Sequence, residues 1–149
     1  MRPNRRRHDQ RGTSTIELAI VFPVLMLMVL GIFDFSHMFY ARLTMQHAVR
    51  EAVRFAVTGN TTADPNTGLP MARVDAIKGK IAQNAVAMAV DLDKITITPA
   101  DGGGPGDVVT VRADFSYEFS TPHIKPLFPG GQFDFSVRSS MKNEPFYTG

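Results

Sequence analysis

Cysteine is absent from the 149 residues. No disulfide framework and no thiolate metal site can therefore form. That absence does not fix the compartment, because an oxidising environment permits disulfides without requiring them. Histidine is scarce as well. His8, His37, His47 and His123 stand apart, and no two share the i, i+4 spacing that puts two imidazoles on one helix face. No metal site is expected, and no Ser–His–acid arrangement can be assembled from four scattered imidazoles. The length suits one domain, or an anchor followed by one small domain.

A net charge of +2 and a pI near 9.2 invite a nucleic-acid reading, but the charge is unevenly placed. Residues 1–12 carry Arg2, Arg5, Arg6, Arg7 and Arg11 against Asp9, a balance of +4. The remaining 11 basic and 13 acidic residues leave −2. The basic character belongs to a short leader, so no phosphate-binding surface and no nucleic-acid partner are expected. With Pro3 and no apolar periodicity, the leader reads as disordered.

After the leader comes Gly12-Thr13-Ser14-Thr15-Ile16-Glu17, and then an uncharged run from Leu18 to Phe33. With Thr13 to Ile16 the segment reaches the roughly 20 residues that a membrane span needs. Arginines before such a run keep the amino end cytoplasmic and place everything after it outside. A secretory signal peptide is the plain alternative. No A-x-A-like site closes the run, however, and Gly31-Ile32-Phe33-Asp34-Phe35-Ser36-His37 passes straight into more helical pattern. Arg5-Arg6-Arg7 also invites a twin-arginine signal, but the residues after it fit that poorly. Pro23 lies inside the run, where it removes a hydrogen bond and marks a kink or a loosened turn; membrane helices tolerate this. Glu17 is open to two readings. One is a charge at the membrane interface; the other is a functional carboxylate, since acids within a span tend to face a partner rather than lipid.

The helical pattern outlasts the membrane. Met38, Ala41, Met45, Ala48, Ala52 and Phe55 recur at spacings of three and four, with Arg42, Gln46, Arg50, Glu51 and Arg54 on the other faces. This predicts a narrow, alanine-rich packing seam on a helix from Thr15 to Thr58, ended by Gly59 at the C′ position. A loop over 59–70 and a second helix over about Ala72–Asp91 follow, the latter with Val74, Ile77, Ile81, Ala85, Met88 and Leu92 on one face. Strands are predicted at 95–98, 108–120 and 132–141, with Val109, Val111, Ala113, Phe115, Tyr117 and Phe119, then Phe133, Phe135 and Val137, facing inward. Ile124, Leu127 and Phe128 are expected to tuck down the connection between the last two strands, and 142–149 to be loose. The fold class is α+β: a long transmembrane and amphipathic helix, a second helix and a small antiparallel sheet of about three strands.

No other stretch carries chemistry. Gly102-Gly103-Gly104 follows a short strand but opens no helix, so it reads as a turn and not a phosphate cradle. Asp101 and Asp107 flank it at a spacing that matches no EF-hand loop. Asp91 and Asp93 read as polar residues of a helix-to-strand junction, and Phe146 and Tyr147 as a sticky contact or a loose end.

Arg11-Gly12-Thr13-Ser14-Thr15-Ile16-Glu17-Leu18-Ala19 with Phe22-Pro23-Val24-Leu25 resembles the TadE-like pseudopilins of the tight-adherence (Tad/Flp) pilus system. Phe39-Tyr40-Ala41-Arg42 and Ala48-Val49-Arg50-Glu51-Ala52-Val53-Arg54-Phe55-Ala56 extend the likeness over residues 11–59. Leu18 stands where many signals of this pilus class carry an aromatic residue. The resemblance implies three regions: a leader at 1–12, a helix at 13–58 spanning the membrane over about 15–36, and an extracytoplasmic α+β head at 59–149. It implies cleavage between Gly12 and Thr13 by a prepilin peptidase, with Glu17, Leu18 and Pro23 serving recognition and assembly and the seam from Met38 to Phe55 serving helix packing. The implied partners are that peptidase, other pilins and pseudopilins, the pilus assembly platform and the bacterial inner membrane, with no cofactor and no enzymatic activity. The alternatives are a single-pass anchored binding module outside any pilus and, with no site to support it, an anchored enzyme.

Overall fold

The structure, a computed structural model, describes residues 11–60, 62–64, 68–85 and 90–145. Helix α1 covers Arg11–Val57 without a break, 47 residues including Pro23, and at 1.5 Å per residue extends about 70 Å. Its start precedes the expected Thr15, so Arg11 and Gly12 are helical where the sequence predicts disorder; residues 1–10 lie outside the described set. Its end is as expected. Gly59 takes φ 69°, a conformation costly for any residue with a Cβ, and its N–H donates to the Ala56 carbonyl at 3.1 Å.

Burial divides α1 in two. Through residues 14–33 the side chains stand free of the rest of the molecule, save partial cover at Val29 and Gly31. From Asp34 onward a stripe is buried at 34, 38, 41, 45, 48 and 52, joined by Val49, Val53, Ala56 and Val57. The stripe keeps the three-and-four spacing of a helix face packed along its length.

The head covers that stripe. Helix α2 (Arg73–Asn84) presents Ala76, Ile77 and Ile81 to it, and Ala85 continues the same face. Strands β1 (Ile95–Thr98), β2 (Val108–Glu118) and β3 (Gln132–Lys142) form an antiparallel sheet in the order β1-β2-β3. Its inner face supplies Ile95, Ile97, Val109, Val111, Ala113 and Val137 to one core with α1 and α2. Alternation along β2 therefore has the predicted cause, one face on helices and one in water. Phe115 pairs edge-on with its cross-strand partner Phe135 at 4.2 Å. A smaller cluster of Met38, Phe119 and Ile124, with Tyr117 and Phe128 packed on it, lies nearer the free part of α1.

The elements differ from expectation at their edges. α2 ends at Asn84, short of Asp91; residues 86–89, including Met88, lie outside the described set. Asp91 instead accepts from the Asp93 N–H at 3.0 Å and opens a 3-10 turn, Leu92–Lys94, which leaves Leu92 exposed rather than on the helix face. β2 stops at Glu118. Phe133 and Leu127 are exposed, so only Ile124 and Phe128 of the expected trio tuck down. The tail is tied in as far as Glu144. Lys142 completes β3, the buried Asn143 side chain donates to the Gly102 and Gly104 carbonyls, and the Glu144 N–H donates to the Val57 carbonyl. Phe146 and Tyr147 lie outside the described residues.

Candidate processing and assembly segment

The Gly12–Glu17 stretch forms the first turns of α1. Four residues separate Thr13 from Glu17, one helical turn, so a group at position 13 and the Glu17 side chain share a face. Glu17 is exposed and, among the described residues, forms no salt bridge. Leu18 is 63% exposed. Pro23 has no N–H, so the Ala19 carbonyl lacks its helical donor although the helix continues through it. Thus Glu17, Leu18 and Pro23 stand on one free helix, with no protein packed over the first two and only an apolar hollow of about 320 Å³ beside the third, bounded by His123 and Thr121.

Of the seam residues, Met38, Ala41, Met45, Ala48 and Ala52 are buried and Phe55 is half-buried. What covers them is this chain's own head. Small side chains at 48, 52 and 56 let α2 and the sheet approach the α1 backbone closely. The face that the sequence reserves for neighbouring helices is already occupied within the monomer, and the free surface of α1 is the stretch 14–33.

A carboxylate overlooked in the sequence organises the junction. Asp34 is only 3% exposed and accepts from the backbone N–H groups of Thr121 at 2.9 Å and Ser120 at 3.3 Å. A buried acid needs such partners; here they come from the segment leaving β2. Above it Phe119 stacks on Phe128 at 4.3 Å and meets Phe35 edge-on at 5.8 Å. Burial and then the Asp34 charge push the Tyr117 phenol up. Lys125 hydrogen-bonds Glu118 at 2.7 Å and holds that exposed carboxyl below its usual range. One signal for Asp34 exists in the sequence: it stands four residues before Met38, on the seam extended backward.

The remaining loops serve the scaffold. The glycine turn is closed by its own aspartates, the Gly103 N–H donating to Asp101 and the Gly104 N–H to Asp107. Arg73 fastens the turn to α1, donating to the Gly103 carbonyl and, at 2.7 Å, to the Ala56 carbonyl. A shallow depression of about 440 Å³ on the outer sheet face is lined by Lys94, Arg112 and Asp114 among others. Its Arg112 and Asp114 are paired with each other at 2.9 Å. No group of three or more metal-ligating side chains occurs among the described residues.

Residues 14–57 include a stretch long and apolar enough to cross a membrane, and none of that stretch is buried inside the molecule. No curated protein and no solved structure matches the chain. The family model described as TadE-like protein matches residues 12–54, from the glycine in the first turn of α1 to the arginine near its end. Over those residues the amino-terminal helix of this chain is therefore similar to the TadE-like family, in line with the resemblance of its sequence.

Proposed function

We propose that this protein is a minor pseudopilin of a Tad-type adhesion pilus: a structural subunit without enzymatic activity or cofactor, acting in initiation or at the tip. A membrane prepilin peptidase cuts between Gly12 and Thr13, the leader stays cytoplasmic, and the helix is kept as both anchor and assembly surface. The head faces the periplasm or the exterior. The observation that carries the reading is the pairing of a TadE-like match over residues 12–54 with a helix left largely exposed over residues 14–33, with partial cover only at Val29 and Gly31.

The physical logic follows from Glu17. Cleavage would create an α-amino group on Thr13, one turn from the carboxylate. In a bundle of such helices Glu17 would pair with the amino terminus of a neighbour, since an unpaired carboxylate among apolar side chains costs several kcal/mol. That pairing fixes an axial stagger between subunits. Pro23, with its missing hydrogen bond, lets the first turns loosen as a subunit leaves the bilayer. Mass spectrometry of the membrane-bound protein tests the cleavage, and co-purification with pilus subunits and the assembly platform tests the assembly.

A further inference from the structure

The head reaches back along the free part of α1. After β2 the chain turns beside the helix, and Ile124 comes to lie against Gly31, its Cδ1 3.7 Å from where a side chain there would begin. An apolar groove of about 540 Å³ opens between Leu27, Gly31 and Phe35 on α1 and Ile124, Leu127 and Phe128 on the loop. The hollow beside Pro23 brings His123 level with Leu27 and Leu30. Spanning the hydrocarbon takes about 20 helical residues. Counted from Ser14, that length ends near Phe33, within the part of α1, Leu27 to Phe39, that lines the groove against the loop. Loop and span therefore share a depth.

The loop is built for such a place. Ser120 and Thr121 give their N–H groups to Asp34, while those of Ile124, Lys125, Leu127, Phe128 and Gly131 go to carbonyls inside the loop. Positions 122, 126 and 129 are proline and have no N–H to satisfy. A segment with so few free donors loses little on leaving water. Leu127 is 74% exposed, more than any other large apolar side chain among the described residues. Lys125 keeps its charge paired with Glu118, and its stem suits a residue lying flat at an interface.

We propose that the 122–129 loop is a second membrane contact, seated at the headgroup–acyl boundary of the leaflet on the head's side, with lipid acyl chains filling the groove around Leu127. Irregular backbone is not tolerated in the hydrocarbon centre, which limits the loop to the shallow zone where apolar faces bury about 5–10 Å. The groove is continuous with the free surface of α1, so whatever solvates residues 14–33 also reaches Leu127. This rests on residues 15–36 spanning the membrane. Its consequence is a head held at a fixed height and tilt by Asp34 and the loop.

The absence of cysteine makes the test direct. Full-length Leu127→Cys, Ile20→Cys and Thr96→Cys proteins, each labelled with an environment-sensitive fluorophore, are reconstituted in phosphatidylethanolamine–phosphatidylglycerol vesicles with or without brominated phosphatidylcholine. Emission at position 127 should shift to the blue and be quenched by brominated chains, more weakly than at position 20, while position 96 stays water-like. A water-like, unquenched signal at 127 beside a quenched one at 20 overturns the proposal. A blue shift at 127 that needs a high protein-to-lipid ratio assigns the groove to a second copy and overturns it too. Loss of quenching at both positions refutes the span reading itself.

Discussion

Two carboxylates on one helix have opposite fates. Asp34 is buried and fully engaged by Ser120 and Thr121, whereas Glu17 is exposed with no salt bridge among the described residues. The first ties the head to the helix; in the proposed assembly the second pairs with a neighbouring subunit. Asp34→Ala should destabilise the detergent-solubilised protein by about 1–3 kcal/mol, because the loop N–H groups lose their acceptor in a buried place; chemical unfolding of the purified protein reads this. Glu17→Gln should leave the head's stability unchanged and still insert, yet fail to co-purify with pilus subunits; normal assembly of that variant would remove the proposed role. Glu17 was legible in the sequence because a charge interrupts an apolar run. Asp34 had only its place on the seam, four residues before Met38, to mark it as buried; its donors were not legible, because they lie 86 and 87 positions further along.

At the scale of elements, α1 is one helix with two solvents. Its carboxyl half was legible from spacing alone, since Met38, Ala41, Met45, Ala48 and Ala52 can share a face only in a helix. What covers the face was not, because periodicity says that a stripe is buried and not against what. The seam leaves no spare volume at Ala48 and Ala52, both fully buried, so Ala48→Leu should cost about 1–3 kcal/mol by overpacking. Differential scanning calorimetry in detergent would show it as a lowered Tm. Gly59→Ala should cost about 1–2 kcal/mol by forcing a Cβ into the left-handed region, seen in the same measurement. The end of α2 was misplaced because an apolar residue at Leu92 keeps helical register, while Asp91 offers its side chain to the backbone and starts a different turn. The anchoring of Asn143 and Glu144 is not legible in the sequence, because their partners are carbonyls in the glycine turn and at the end of α1.

At the scale of the molecule, an apolar rod carries a head clasped to its far half. The two hydrophobic clusters and the Asp34 bonds join head to rod along the whole stripe from Asp34 to Val57, so the head and its helix should move as one body. In the proposed topology the charge division has a use, with a leader of +4 on one side and a slightly acidic remainder on the other. Cleavage after Gly12 would remove that leader and free the Thr13 amino group beside Glu17, and the proposed role depends on it. The most direct measurement is the amino-terminal sequence of the membrane-bound protein from cells with and without an active prepilin peptidase. A chain beginning at Thr13 with the peptidase, and at Met1 without it, is the expected result. A chain beginning at Met1 in both would contradict the account.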